Sequence, residues 1–184
     1  LDGRQSANGA SLLAHLKRNP DGQPAWLRLH FEQGDQRAAA QYNFEGAEVH
    51  ITRQAVGELR SQETLDIAEG YQIDFHPVIA HDFPWRGYPM HARGKRWSMA
   101  VFSPDLWLDT PQVMSGRALR YDIKPGEPET CETPAGVFEA TRVFEVTLSD
   151  GVTATGWYDE FGIPLRWFYP QKDYDFVLVS YERN

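Results

Sequence analysis

The chain has 184 residues, a mass of 21.0 kDa and a formal net charge of -8. That length suits one domain spanning 1–184, which buries roughly two-thirds of the surface its unfolded form exposes and needs neither a disulfide nor a metal to fold. The acid excess argues against nucleic acid as a partner, because phosphate binding needs a cationic face. The absence of an 18-residue apolar run argues against a membrane-spanning helix.

The chain opens on LDGRQSANGAS, polar and without a start methionine, as expected where a signal peptide or leader has been removed or the chain has been shortened at this end. Two-residue alternation then recurs and helical periodicity hardly appears, which predicts an all-β fold. Strands are expected over 11–18, 37–44 and 47–53. In Trp26 to Glu32, Leu27, Leu29 and Phe31 fall on one face while Arg28, His30 and Glu32 fall on the other. Turn chemistry separates these runs at Asn19-Pro20-Asp21-Gly22, Gln33-Gly34-Asp35 and Glu45-Gly46.

The segment from His76 to Trp97 breaks the pattern. It holds three of the six histidines, two tryptophans and four cationic residues among three prolines and two glycines. Proline and glycine at that density exclude a regular helix or central strand, so 76–95 reads as a long functional loop, a lid or pocket wall. After a strand over 96–102, Ser103 and Pro104 offer an N-cap and first-turn proline for a short helix. The run Phe138 to Leu148 is the cleanest alternation, interrupted only by Arg142. Asp150-Gly151 then predicts a hairpin into 152–159, followed by strands over 164–169 and 176–182.

Trp157, Trp167, Tyr169 and Tyr181 place large amphipathic rings along these last strands. One flat sheet cannot hide them all. The expected architecture is therefore an antiparallel meander curved into a barrel or half-barrel, with at most one or two short helices.

Thr133-Pro134-Ala135-Gly136-Val137-Phe138, followed by Gly156-Trp157-Tyr158 and Phe161-Gly162-Ile163-Pro164, resembles the DUF3108-like and DUF6134-like bacterial envelope proteins. In these a hairpin, a strand and a second turn recur in this order. The resemblance covers about 50 residues of the chain. It implies a half-barrel related to the LolA/LolB lipoprotein carriers and a periplasmic or envelope location, with the cytoplasm as the alternative; it carries no catalytic residue.

Two functions fit these observations. A binding protein would hold a small hydrophobic or amphipathic ligand on an aromatic concave face formed by Trp85, Trp97, Trp107, Trp157 and Trp167. His76 would join that face, and Arg86, Arg93 and Arg96 would place an acidic head group. A cofactor-independent lyase or isomerase would use His81 or His91 as base, Asp82 to orient it, and Arg86 or Tyr88 to stabilise negative charge on an aromatic or hydrophobic substrate. The spacing of His76, His81, Asp82 and His91 matches no metal signature, so neither a metal nor another cofactor is expected. Binding is the favoured reading. Cys131 is the single cysteine, so it forms no internal disulfide and points to no compartment.

Overall fold

The structure, a computed structural model, describes residues 2–7, 9–55, 60–74, 96–104 and 114–180. They form an all-β fold, and none of them lies in a helix. The expected long loop, and the expected short helix beyond Pro104, lie outside the described residues. The chain divides into two compact units, Leu1–Ala80 with Ala100–Ala118, and His81–Met99 with Leu119–Asn184.

The first unit is built on a six-stranded antiparallel meander in chain order. Its strands are β1 (Asp2–Ala7), β2 (Ala10–Arg18), β3 (Pro24–Gln33), β4 (Gln36–Glu45), β5 (Glu48–Ala55) and β6 (Ser61–Asp66). The β3–β4 and β4–β5 connections each leave two central residues, and Gly34 (φ 57) and Gly46 (φ 61) occupy the first of them. A positive φ there is what a II′-type hairpin requires, and glycine supplies it without strain.

Alternation then fixes the faces. Leu12, Leu27, Leu29, Phe31, Tyr42 and Ile51 are all buried on one side, each contributing roughly 1.5–3 kcal/mol for a fully buried large apolar side chain. β7 (Gln72–Ile73) pairs in parallel with β8 (Trp97–Ser103), setting Ile73 beside Phe102. The Phe102 ring meets Tyr42 at 5.1 Å and Phe44 at 5.3 Å, both edge to face.

The second unit carries β9 (Arg117–Pro125), β10 (Glu129–Thr133), β11 (Gly136–Leu148), β12 (Thr153–Tyr158), β13 (Pro164–Tyr169) and β14 (Tyr174–Val177). They run in the order β14-β13-β12-β11-β9, with β10 also on β11, in a sheet that is strongly curled and open, a half-barrel. The Asp150-Gly151 hairpin joins β11 to β12 as its sequence requires, with the Gly151 amide donating to the Leu148 carbonyl at 2.9 Å.

β11 is long enough to serve two partnerships. Its first part pairs with β10, and its second part lies between β9 and β12. The tip of the β10–β11 hairpin is tied to the far end of the sheet. Ala135 donates its amide to Leu178, whose own amide donates to Leu165 on β13.

Candidate functional site

The two faces of β12 and β13 differ in chemistry because register separates them. Gly156 stands across from Trp167, and Trp157 across from Arg166. One face is a dry aromatic row. Phe144, Tyr158, Trp167, Tyr169 and Phe176 follow one another with ring centroids 5.7 to 6.4 Å apart. Tyr158, Trp167 and Tyr169 are essentially fully buried, and the Trp167 indole donates to the Tyr158 hydroxyl at 2.8 Å.

The opposite face holds the candidate site. The Arg166 guanidinium lies 5.1 Å from the Trp157 ring centroid and grips Asp175 with two hydrogen bonds of 2.8 Å each. This is the bidentate, stacked geometry for which arginine is suited and lysine is not. The Trp157 indole donates to the Glu129 carboxylate, so the β10 strand is fastened over this face. The Arg166 pKa is raised, first by its hydrogen bond to Asp175, and the guanidinium stays charged.

Cys131, on β10, is buried within this group. Burial pushes its thiol up from the ordinary value; the Arg166 charge works against that shift, and Glu129 and Asp175 add to it. A thiol of that kind is not a nucleophile poised to react.

Apolar groups rim the charged centre. Val177 is the direct cross-strand partner of Arg166, and Val177 and Val179 are 38% and 70% exposed. The Ala135–Leu178 bond links the β10–β11 hairpin tip to the segment carrying Val177 and Val179. A guanidinium backed by an indole and bordered by exposed valines suits a ligand with an anionic end and an apolar body.

Of the residues expected to bind ligand, Trp157 lies at this centre, whereas Trp167 faces the buried row on the other side of the sheet. Arg96 and Trp97 are exposed at the start of β8. His76, Trp85, Arg93 and Trp107, together with the acid/base set of His81, Asp82, Arg86, Tyr88 and His91, lie outside the described residues. Arg166, Glu129, Asp175 and Val177 have no motif to mark them. The signal available was period two, which puts Arg166 two residues from Phe168 on one face and places Trp157 beside it once the hairpin register is fixed. Asp159, two residues beyond Trp157, is a turn residue: its carboxylate accepts from the Phe161 and Ile163 amides at 2.9 and 2.8 Å.

No protein-family model matches the chain, and no curated protein or solved structure is significantly similar to it.

Proposed function

We propose that the second unit binds a small amphipathic ligand bearing an acidic head group. The head group would be received by Arg166 beside Trp157, and the apolar body would lie along Val177 and Val179. The observation that carries this reading is the stack of the Arg166 guanidinium on the Trp157 ring next to exposed apolar side chains.

Asp175 occupies the guanidinium until a ligand carboxylate competes for it, so binding exchanges one charge-assisted pair for another and gains the burial of apolar surface. The half-barrel supports a binding role, and the resemblance to envelope proteins supports the envelope as the place of action. The test is a titration followed by tryptophan fluorescence and calorimetry. Dodecanoate is expected to bind saturably and dodecanol at least tenfold more weakly. Arg166→Gln is expected to remove that preference, and Val177→Ser to weaken both. Saturable binding of neither compound, or an unchanged preference in Arg166→Gln, would overturn the reading.

A further inference from the structure

The solvent face of the first unit's meander is chemically unlike the rest of this acidic chain. His15, His30 and His50, three of the six histidines, all stand on it. Register fixes the layout. Lys17 lies across from Trp26, His15 across from Arg28, and Leu13 across from His30. The Arg28 guanidinium sits 4.6 Å over the Trp26 ring. Arg28 thus has His15 and Gln41 across its two ladders and faces no acid directly.

On β4 and β5 the same face turns to neutral planar groups. Gln41 stands across from Arg28, and its amide donates to the Asn43 side-chain oxygen at 3.0 Å. Ala39 lies between His30 on β3 and Gln54 on β5. Its small methyl leaves a trough of about 250 Å³, walled by His30 and Gln54, with Glu32 and Arg37 at one end. The acids of this face lie towards its two ends: Glu32, which lines the trough, pairs with Arg37 at 3.7 Å, while Glu45 and Glu48 approach His50 at 3.6 and 3.7 Å and Asp66 stands across from Glu48. On β1 the register sets Asp2 beside His15 and Arg4 beside Leu13, one residue of each sign.

We propose that this face binds a carboxylated polysaccharide strand laid across β2 to β5. Lys17 and Arg28 receive carboxylates, and His30 and Gln54 hold a sugar ring over Ala39. Amide, imidazole and guanidinium groups are planar and present donors and acceptors at fixed spacing, which matches neighbouring hydroxyls on a sugar. The platform from β2 to β5 is roughly 14 Å wide, three strand spacings of about 4.8 Å, so it fits an extended polymer better than a compact ligand. A lipid surface fits worse, because membrane docking needs several inserting apolar side chains and Leu13 is the one large apolar residue exposed among these positions. Lys17 and Arg28, with no acid directly across from either, select an acidic glycan over a neutral one.

The test uses the full chain in affinity electrophoresis and calorimetry with four probes: polygalacturonate, neutral dextran, poly-L-glutamate, and phosphatidylglycerol vesicles. Polygalacturonate is expected to bind at least tenfold more tightly than poly-L-glutamate, and dextran and vesicles not at all. Lys17→Gln with Arg28→Gln should weaken polygalacturonate tenfold or more. Gln54→Ala should weaken it several-fold without changing the response to poly-L-glutamate. These are surface substitutions, and an unchanged circular dichroism spectrum checks the fold. Equal binding of polygalacturonate and poly-L-glutamate, vesicle binding in its place, no retention by polygalacturonate, or wild-type retention by both variants would overturn the proposal. Phosphatidylglycerol is itself an acidic amphipath of the kind assigned to Arg166, so the vesicle arm is repeated with Arg166→Gln; vesicle binding that survives there counts against the glycan face, and binding lost there belongs to the Arg166 site, so each reading can fail alone.

Discussion

Trp167 lies directly over Gly156, its partner across the β12–β13 ladder, while its indole nitrogen donates to Tyr158 two residues further along β12. A methyl group on Gly156 would come within 2.8 Å of the indole Cε2 and 3.0 Å of Cζ2. Neither ring nor strand has room to withdraw, because Trp167 is itself fully buried. Gly156→Ala is therefore expected to destabilise the protein by about 1–3 kcal/mol, the range for overpacking a filled core. Gly126→Ala, where the nearest atoms are Val143 Cβ and Cγ1 at 3.3 Å, should cost markedly less. Urea midpoints of the two variants compare them directly; equal shifts would contradict the packing argument.

Tyr42 and Met114 form the corresponding contact in the first unit. The Tyr42 hydroxyl donates to the Met114 carbonyl at 2.8 Å, both residues are buried, and Met114 has a φ of 51, a region that non-glycine residues enter at a cost. Tyr42→Phe deletes the donor while keeping the ring against Phe102, and a loss of about 1–2 kcal/mol is expected for a buried hydrogen bond. Gly116→Ala should be worse, because its φ is +76 and its new methyl would meet Phe102 at 2.8 Å. Thermal melts that rank Gly116→Ala above Tyr42→Phe support this account.

Where strands bury a face, the sequence pattern is readable. Leu27, Leu29 and Phe31 point inward in the structure as their alternation requires, and β13 occupies the expected 164–169. β1 and β6, Asp-Gly-Arg-Gln-Ser-Ala and Ser-Gln-Glu-Thr-Leu-Asp, carry no alternation because strands at the edge of a sheet need bury little. Their formation is decided by the neighbour's open backbone, which no local pattern records. β9 is different: it is not among the expected strands, although Leu119, Tyr121 and Ile123 alternate with Arg120, Asp122 and Lys124.

In β11 the alternation slips. Thr141, Val143 and Phe144 are all buried, because the strand changes partners there, from β10 to β9 and β12. The site suffers most from this dependence on register. Arg166 and Trp157 are nine positions apart in the chain, and only the exact β12–β13 pairing, with its irregularity at Trp157/Tyr158, makes them neighbours.

Burial against Phe44, whose ring centroid lies 5.7 Å away, pushes the Tyr71 phenol up from 10.0 to about 12. The folded chain keeps this proton at a pH where the unfolded chain releases it. The contribution to stability is thus complete below pH 10 and is lost as pH rises from 10 towards 12. At about 1.4 kcal/mol per pKa unit, up to about 2–3 kcal/mol is at stake. Urea denaturation at a series of alkaline pH values should show the wild type losing more stability across this window than Tyr71→Phe, which has no proton to lose. Parallel curves would rule Tyr71 out as the cause.

Cys131 gives the most direct probe of the candidate site in solution. Burial raises its thiol pKa and Arg166 opposes the rise, so the native protein holds little thiolate at pH 8 and shields what it holds. Ellman's reagent should therefore react at least tenfold more slowly with native protein than with protein in urea. Two effects compete in Arg166→Gln. Losing the positive charge removes the one influence that lowers the thiol pKa, which slows reaction; loosening the Arg166–Asp175 clasp exposes the sulfur, which speeds it. The clasp is part-exposed, and pairs of that kind contribute at most about 1 kcal/mol, so the charge effect should prevail and the variant should react more slowly than wild type at pH 8. Faster reaction would mean that the guanidinium acts chiefly as a cover over β10.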